Sequence, residues 1–243
     1  MAKFKSKSVS RYGLPKTGQL TPYVDYDDGY YQKGYPLAGF GSRFANLGDG
    51  TILDRATGLQ FVKQPELIIP GVSVRADNQI QVAKGNYATS TVYAVADLVK
   101  DVATGNYYVC VIAHTSNGAN VAADLVNNPA SWRQTVWTNS AANLTTPKTM
   151  AWATAITNCE GLEYAGKGDW RLPNVKELMS IADYERVSPS IDPLFANCQS
   201  SYYWSSSTYA VNTGNAWIVS FVVGGVYNDD KSLGYCVRPV RQY

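Results

Sequence analysis

The last hundred residues carry four short words in fixed order: Met150-Ala151-Trp152, Gly168-Asp169-Trp170-Arg171-Leu172-Pro173-Asn174, Tyr203-Trp204-Ser205-Ser206 and Tyr235-Cys236-Val237-Arg238-Pro239-Val240-Arg241. They combine large aromatic anchors with turn formers and helix caps. Such a pattern specifies a compact, loop-bearing domain that displays a surface, and it contains no nucleophile, acid/base pair or metal cage. At 243 residues with 45 % hydrophobic content the chain is long enough for a substantial core in one or two domains.

Charge narrows the partners. A net charge of +2 argues against nucleic acid, because the cations are scattered apart from Lys3, Lys5, Lys7 and Arg11. Charged residues are only 16 % of the chain, whereas 18 tyrosines and 20 glycines point to a β-rich recognition protein. Tyrosine supplies contact area at low entropic cost, although it equally suits half-buried strands. No apolar run is long enough to span a bilayer, so membrane insertion is not expected. The basic start lacks the apolar stretch of a secretory signal. Cys110, Cys159, Cys198 and Cys236 show no C-x-x-C spacing, so no zinc or dithiol motif is expected, and any disulfide would be long-range.

Residues 1–40 read as an extended, Tyr- and Gly-rich amino-terminal arm. In 44–62, turns at Gly48-Asp49-Gly50 and Ala56-Thr57-Gly58 separate strands at 51–54 and 59–62. The composition of 66–145 shifts to Val, Ile, Thr, Asn and Ala, which predicts an inserted all-β module with strands near 71–74, 80–82, 98–100 and 107–112. Within it, Tyr93, Tyr107-Tyr108-Val109-Cys110, His114 and Trp132 resemble the small chitin-type carbohydrate-binding modules, in which a Tyr and a Trp share one face; a spacer unit is the plainer alternative.

Thr146-Pro147 predicts a helix start, with Trp152, Ile156 and Cys159 on one face, ending near Gly161. A second helix starts at Asn174, which forms a capping box with Glu177 and buries Val175, Leu178, Met179 and Ala182. Trp217, Val219, Phe221 and Val223 alternate on a strand, Gly224-Gly225 turns it, and Tyr235, Val237 and Pro239 continue in a terminal strand of the same sheet.

The words at 14–19 (Leu-Pro-Lys-Thr-Gly-Gln), 27–29 (Asp-Asp-Gly), 32–34 (Gln-Lys-Gly), 46–51 (Asn-Leu-Gly-Asp-Gly-Thr), 57–59 (Thr-Gly-Leu), 152–159, 169–178, 203–206, 216–217 and 237–241 together resemble the Lcl C-terminal domain family of phage virion and bacterial surface proteins. The resemblance covers about 1–65 and 146–243. It implies an α+β, C-type-lectin-like domain (41–65 and 146–243), with two helices on a small twisted antiparallel sheet and 66–145 inserted. It also implies a disulfide between Cys159 in the first helix and Cys236 in the last strand.

A fold of this kind does not transmit one function. Calcium-dependent sugar binding would need an oxygen-rich loop, of which Tyr227-Asn228-Asp229-Asp230 is only a distant echo, so neither metal nor cofactor is expected. His114 is the lone histidine with no Ser or Cys beside it in sequence, and no enzyme activity is expected. Trp204 and Trp217 are expected in the core. Recognition is expected from Tyr202, Tyr203, Tyr209, Asn212, Asn215, Tyr227, Asn228, Asp229, Asp230 and Lys231, which mix aromatic faces with amide and charged groups.

The sequence reading is therefore of a phage virion protein of the tail fibre, spike or tip. Its lectin-like loops would bind a host-surface glycan or protein, and its amino-terminal arm would join other virion proteins, in a homo-oligomer such as a trimer. The alternatives are a structural virion protein (decoration, collar or adaptor) or an adhesin at the bacterial cell surface.

Overall fold

The computed structural model describes residues 22–25, 30, 42–69, 80, 82–139 and 147–243. Most of the amino-terminal arm, the strand expected at 71–74 and the cap expected at Thr146 lie outside the described residues. The architecture is mixed α+β and mostly β. Its strands are β1 (Phe44–Asn46), β2 (Thr51–Asp54), β3 (Leu59–Val62), β4 (Val82–Asn86), β5 (Val92–Tyr93), β6 (Asp97–Lys100), β7 (Tyr107–Cys110), β8 (His114–Thr115), β9 (Trp132–Thr135), β10 (Tyr202–Thr208), β11 (Asn215–Ser220), β12 (Val226–Asp230) and β13 (Val240–Gln242). Three longer helical segments stand among the described residues, α1 (Val121–Asn127), α2 (Trp152–Glu160) and α3 (Val175–Ser180).

Among the described residues the strands form four sheets, ordered β1-β2-β3-β13, β10-β11-β12, β4-β6-β7-β9 and β5-β8. The expectation that 216–223 and 235–240 share a sheet is corrected. β11 belongs to the three-stranded sheet, whereas β13 pairs antiparallel with β3, Val240 opposite Phe61. Cys236 only touches β10, through a parallel bridge to Tyr203.

The three-stranded sheet is covered on both sides, because its strands alternate two sets of apolar residues. Tyr203, Val219 and Phe221 enter a core with Phe44, Phe61, Leu178 and Phe195. Trp204, Ala216 and Ile218 enter another with Cys159, Tyr164, Trp170 and Leu172. Each fully buried tryptophan has its indole N–H satisfied, Trp204 by the Met150 carbonyl (2.8 Å) and Trp170 by that of Tyr164 (3.1 Å). That removes the cost of burying an unpaired donor, which runs to about 1–3 kcal/mol.

Helix α3 starts as the sequence indicates: the Asn174 side chain accepts from Lys176 N and Glu177 N, and the Glu177 carboxylate accepts from Asn174 N. It ends at Ser180, because Ala182 bridges to Ile191, and Met179, expected on the buried stripe, is left 39 % exposed. Helix α2 begins at Trp152, not at Pro147. The Met150 amide and carbonyl are already committed to Tyr235 across an antiparallel bridge (3.0 and 3.1 Å), which holds 147–150 extended. Val223 is exposed, since β11 stops at Ser220 and Gly224 (φ +78) makes the turn.

The stretch 66–145 is not all β. Asn120 caps helix α1 by accepting from Ala123 N, and Gly118 makes room for it: a Cβ there would sit 2.3 Å from the Asp124 nitrogen. This stretch has its own cores, one around Ile69, Ile80, Leu98 and Val109, the other around Tyr93, Val99, Cys110 and Trp132. At its edge the side chains alternate: Leu67 and Ile69 point into it, while Ile68, with Trp137, packs beside Trp170 and Trp204.

A buried ion pair fixes the β1-β2 end. Arg43 holds Asp54 with two hydrogen bonds (2.9 and 2.7 Å), and Asp54 also accepts from Ala56 N and Thr57 Oγ1. Arg43→Ala strands a carboxylate with no exposed surface, and a loss of about 3–5 kcal/mol is expected in urea unfolding. Arg171→Ala, which breaks a pair exposed by 37 % and 18 %, is expected to cost about 1 kcal/mol or less. Equal losses in the two variants would contradict the burial argument.

Candidate functional site

The register of β10-β11-β12 divides the residues expected to form one recognition surface between two faces. Trp204 lies opposite Ile218, Ile218 opposite Tyr227, and Ala216 opposite Asp229, so Tyr202, Tyr227 and Asp229 stand on the Trp204 side. Tyr203 lies opposite Val219 and Trp217 opposite Asn228, so these, with Asn215, stand on the other side.

On the Trp204 side the groups satisfy one another. Tyr202 meets Tyr227 edge-on (6.0 Å between centroids) and Tyr235 at 5.4 Å. The Tyr235 hydroxyl donates to Asp229 (2.6 Å), and burial followed by this bond pushes the phenol up to about 12. Lys231 Nζ donates to Thr208 Oγ1 and the Thr213 carbonyl (both 2.9 Å) and lies 4.0 Å from the centroid of the Trp152 ring. The Trp152 indole in turn donates to the Ser205 carbonyl. Lys231 thus braces the sheet against α2, and Asp229 ties it to Tyr235. Asp230 turns away to accept from Ser232, which holds its carboxyl below the usual range.

The opposite side is arranged differently at the β10–β11 hairpin. Tyr209 and Trp217, both half-buried, meet edge to face at 5.1 Å. Beside them runs a ladder of amides: Asn212 Nδ2 donates to Asn215 Oδ1 (3.1 Å), and Asn215 Nδ2 donates to Asn228 Oδ1 (3.0 Å). Asn212 Oδ1 also accepts from Gly214 N, which fixes the loop. The Asn228 Nδ2, Trp217 Nε1 and Tyr209 hydroxyl bond to nothing else among the described residues. Trp217, expected in the core, is therefore a surface residue that sequence alternation alone could not separate from Val219.

Tyr203 is no contact residue. It is 2 % exposed, and its hydroxyl accepts from Gln199 N (2.9 Å) and from the Cys198 thiol (3.4 Å). The bridge between Cys159 and Cys236 is also corrected, since all four thiols are free. Cys159 faces the Trp170 core from α2, whereas Cys236 faces the opposite core with Cys198, so the sheet separates them.

In the 66–145 stretch, Tyr93 and Trp132 are buried (1 % and 2 %) and form no open aromatic platform. They enclose a polar centre instead. Asp124 accepts from Trp132 Nε1, His114 Nε2 and Asn128 Nδ2 (each 2.8 Å) and from Asn117 N (3.0 Å). Burial works to raise its carboxyl, but these four bonds outweigh it and hold the carboxyl below its ordinary value. Cys110 Sγ lies 3.7 Å from His114 Nδ1, a neighbour the sequence did not reveal. The resulting Cys–His–Asp row does not make a nucleophile as it stands. Cys110 has no exposed surface, its thiol points at the Ile112 carbonyl, and burial and the Asp97 charge push it up to about 12.

Among the described residues no group of three or more His, Cys, Asp or Glu is placed to hold a metal ion, and no helix is long and apolar enough to cross a membrane. Two open clefts are lined otherwise. One, of about 590 Å³, runs along 185–198; the other, of about 510 Å³, lies between Asp49, Gln60, Lys167 and Arg241. Neither touches the Tyr209–Trp217 surface.

Because the folded chain depresses the Asp124 carboxyl, its stabilising contribution is complete above the unfolded value of about 3.9 and falls away as pH drops through the lower folded value. Acid titration followed by tryptophan fluorescence is expected to show stability lost below about pH 4. Asp124→Asn, already weaker at neutral pH, should lose less over the same interval. Identical acid losses in both chains would rule out Asp124 as the responsible group.

Comparison with curated proteins gives no match. Residues 131–241, by contrast, match the model of the Lcl C-terminal domain. The matched segment starts ahead of β9 and takes in Trp137, which packs with Trp170 and Trp204. Residues 131–241, from β9 into β13, are thus the part of the chain that is similar to the Lcl C-terminal domain family.

Proposed function

We propose that the chain is a non-enzymatic attachment protein of a phage virion, of the tail fibre, spike or tip class, which holds a host-surface saccharide or protein. The contact surface in this reading is Tyr209, Trp217, Asn212, Asn215 and Asn228, a narrower set than the ten residues the sequence offers. The fold that goes with it is C-type-lectin-like, a reading supported by α2 and α3 packing against β10 and β11.

One observation carries the reading: three unspent hydrogen-bonding groups lie beside an aromatic pair whose edges are open to solvent. A sugar offers an apolar face for stacking and hydroxyls for the indole, amide and phenol. The amide ladder keeps Asn228 oriented before the ligand arrives, which lowers the ordering cost of binding. In the same reading the amino-terminal arm joins other virion proteins, and the assembly is a homo-oligomer such as a trimer.

Tyr209→Ala combined with Asn228→Ala is expected to leave the chain folded with a modest drop in thermal midpoint, since both side chains are half-buried and lie outside the cores. Adsorption to host cells, or retention on immobilised host-surface polysaccharide, should fall at least tenfold. Tyr227→Ala with Lys231→Ala, on the braced side, should spare adsorption. Undiminished adsorption by folded Tyr209/Asn228 variants would refute the surface, and failed particle assembly would favour the structural-protein alternative.

A further inference from the structure

We propose that Cys198 and Cys236 are the redox pair of this domain and close into a structural disulfide when the chain folds under oxidising conditions. Both are buried in one core, exposed by 8 % and 3 %, and both converge on Tyr203. The Cys198 thiol donates to the Tyr203 hydroxyl at 3.4 Å, and Cys236 is joined to the Tyr203 backbone by a parallel bridge. The bridge is fixed on both sides, with Cys236 N donating to the Tyr202 carbonyl (3.1 Å) and Trp204 N to the Cys236 carbonyl (3.0 Å). Burial first, and then the neighbouring Cys198, raise the Cys236 thiol to about 11. The two remaining thiols have no such neighbour, because Cys159 lies across the sheet and Cys110 lies in the 66–145 stretch.

The chemistry balances with a small-molecule disulfide as oxidant. One cysteine thiolate attacks oxidised glutathione and releases reduced glutathione; the second attacks the mixed disulfide, forms the Cys198–Cys236 bond and releases a second reduced glutathione. Two protein S–H bonds are lost and two glutathione S–H bonds are gained. Nothing in the core is stranded, because the Tyr203 hydroxyl keeps the Gln199 N–H. A buried, protonated thiol reacts slowly, so the exchange belongs to folding, before the 183–201 segment closes over the core. Once closed, the bond would tie that segment to the chain's last crossing and be shielded from reductant.

The full chain is refolded from denaturant in a glutathione redox buffer, alkylated in denaturant and mapped without reduction. The expected product is a linked Cys198–Cys236 peptide lacking two hydrogens, with Cys110 and Cys159 alkylated. Four alkylated thiols, a Cys159–Cys236 link, or a lone glutathione adduct would overturn the proposal. As a second measurement, the thermal midpoint of the refolded chain should drop several degrees on adding reductant in denaturant and refolding again. Cys159→Ser should keep that difference, whereas Cys198→Ser should abolish it. A difference that survives in folded Cys198→Ser would also overturn the pairing, and should that variant fail to fold, the peptide map of the natural chain decides alone.

Discussion

A cation with almost no exposed surface holds the carboxyl-terminal crossing in place. Arg238 is 1 % exposed and donates from Nη1 to the carbonyls of Val62 and Lys63 (2.8 and 2.7 Å), where β3 ends. Its guanidinium lies over Phe195 at 5.2 Å and Tyr203 at 5.8 Å. It therefore joins β3, the 195–198 turn and β10 through one planar group. Burying a charge this deeply is costly unless it is bonded and paired. Here carbonyls and aromatic faces meet most of that requirement, and Glu66 stands by with a carboxyl that burial has raised. Lysine could supply the charge but not the flat face that lies over two aromatic rings.

That arrangement explains why the chain's distant words occur together. The Val-Arg-Pro-Val-Arg run places Arg238 in the core and Arg241 outside, where Arg241 links Asp169 and Gln60 at 2.6 Å each. Asp169 and Arg171 flank Trp170, and Arg171 grips Glu177, the residue that completes the α3 cap. The Gly-Asp-Trp-Arg-Leu-Pro-Asn word is thus one continuous joint: a core anchor, two surface ion pairs and a helix start. Its sequence conspicuousness follows from four mechanical demands falling within seven residues.

Local chemistry was legible and long-range competition was not. The Asn174–Glu177 cap and the Gly48 and Gly58 turns depend on neighbours within a few residues, and the structure has them where the pattern puts them. The start of α2 was misplaced because Tyr235, 85 positions away, claims the Met150 backbone. Helix α1 was missed because its seven residues are too few to show a period, and its purpose, delivering Asp124 to His114 and Trp132, is a tertiary one. The ten residues expected to form one recognition surface are divided by strand parity, a one-residue distinction that depends on register. Tyr203 and Trp217 exchanged roles for the same reason: each is an aromatic on a two-sided sheet, and only the covering helix and loops decide which is sealed.

The alternation at Leu67, Ile68 and Ile69 has an architectural consequence. The incoming chain commits one side chain to the core around Trp170 and Trp204 and two to the core around Leu98 and Val109, and the outgoing chain returns alongside, with Thr135 Oγ1 on the Ile68 carbonyl at 3.3 Å. Entry and exit thus form a two-legged stem whose feet are already together. Since lengthening a loop whose ends are held costs only about 0.6 kcal/mol per doubling, the stem behaves as a socket. The length of chain between the two feet therefore weighs little on the tryptophan-lined core beneath them.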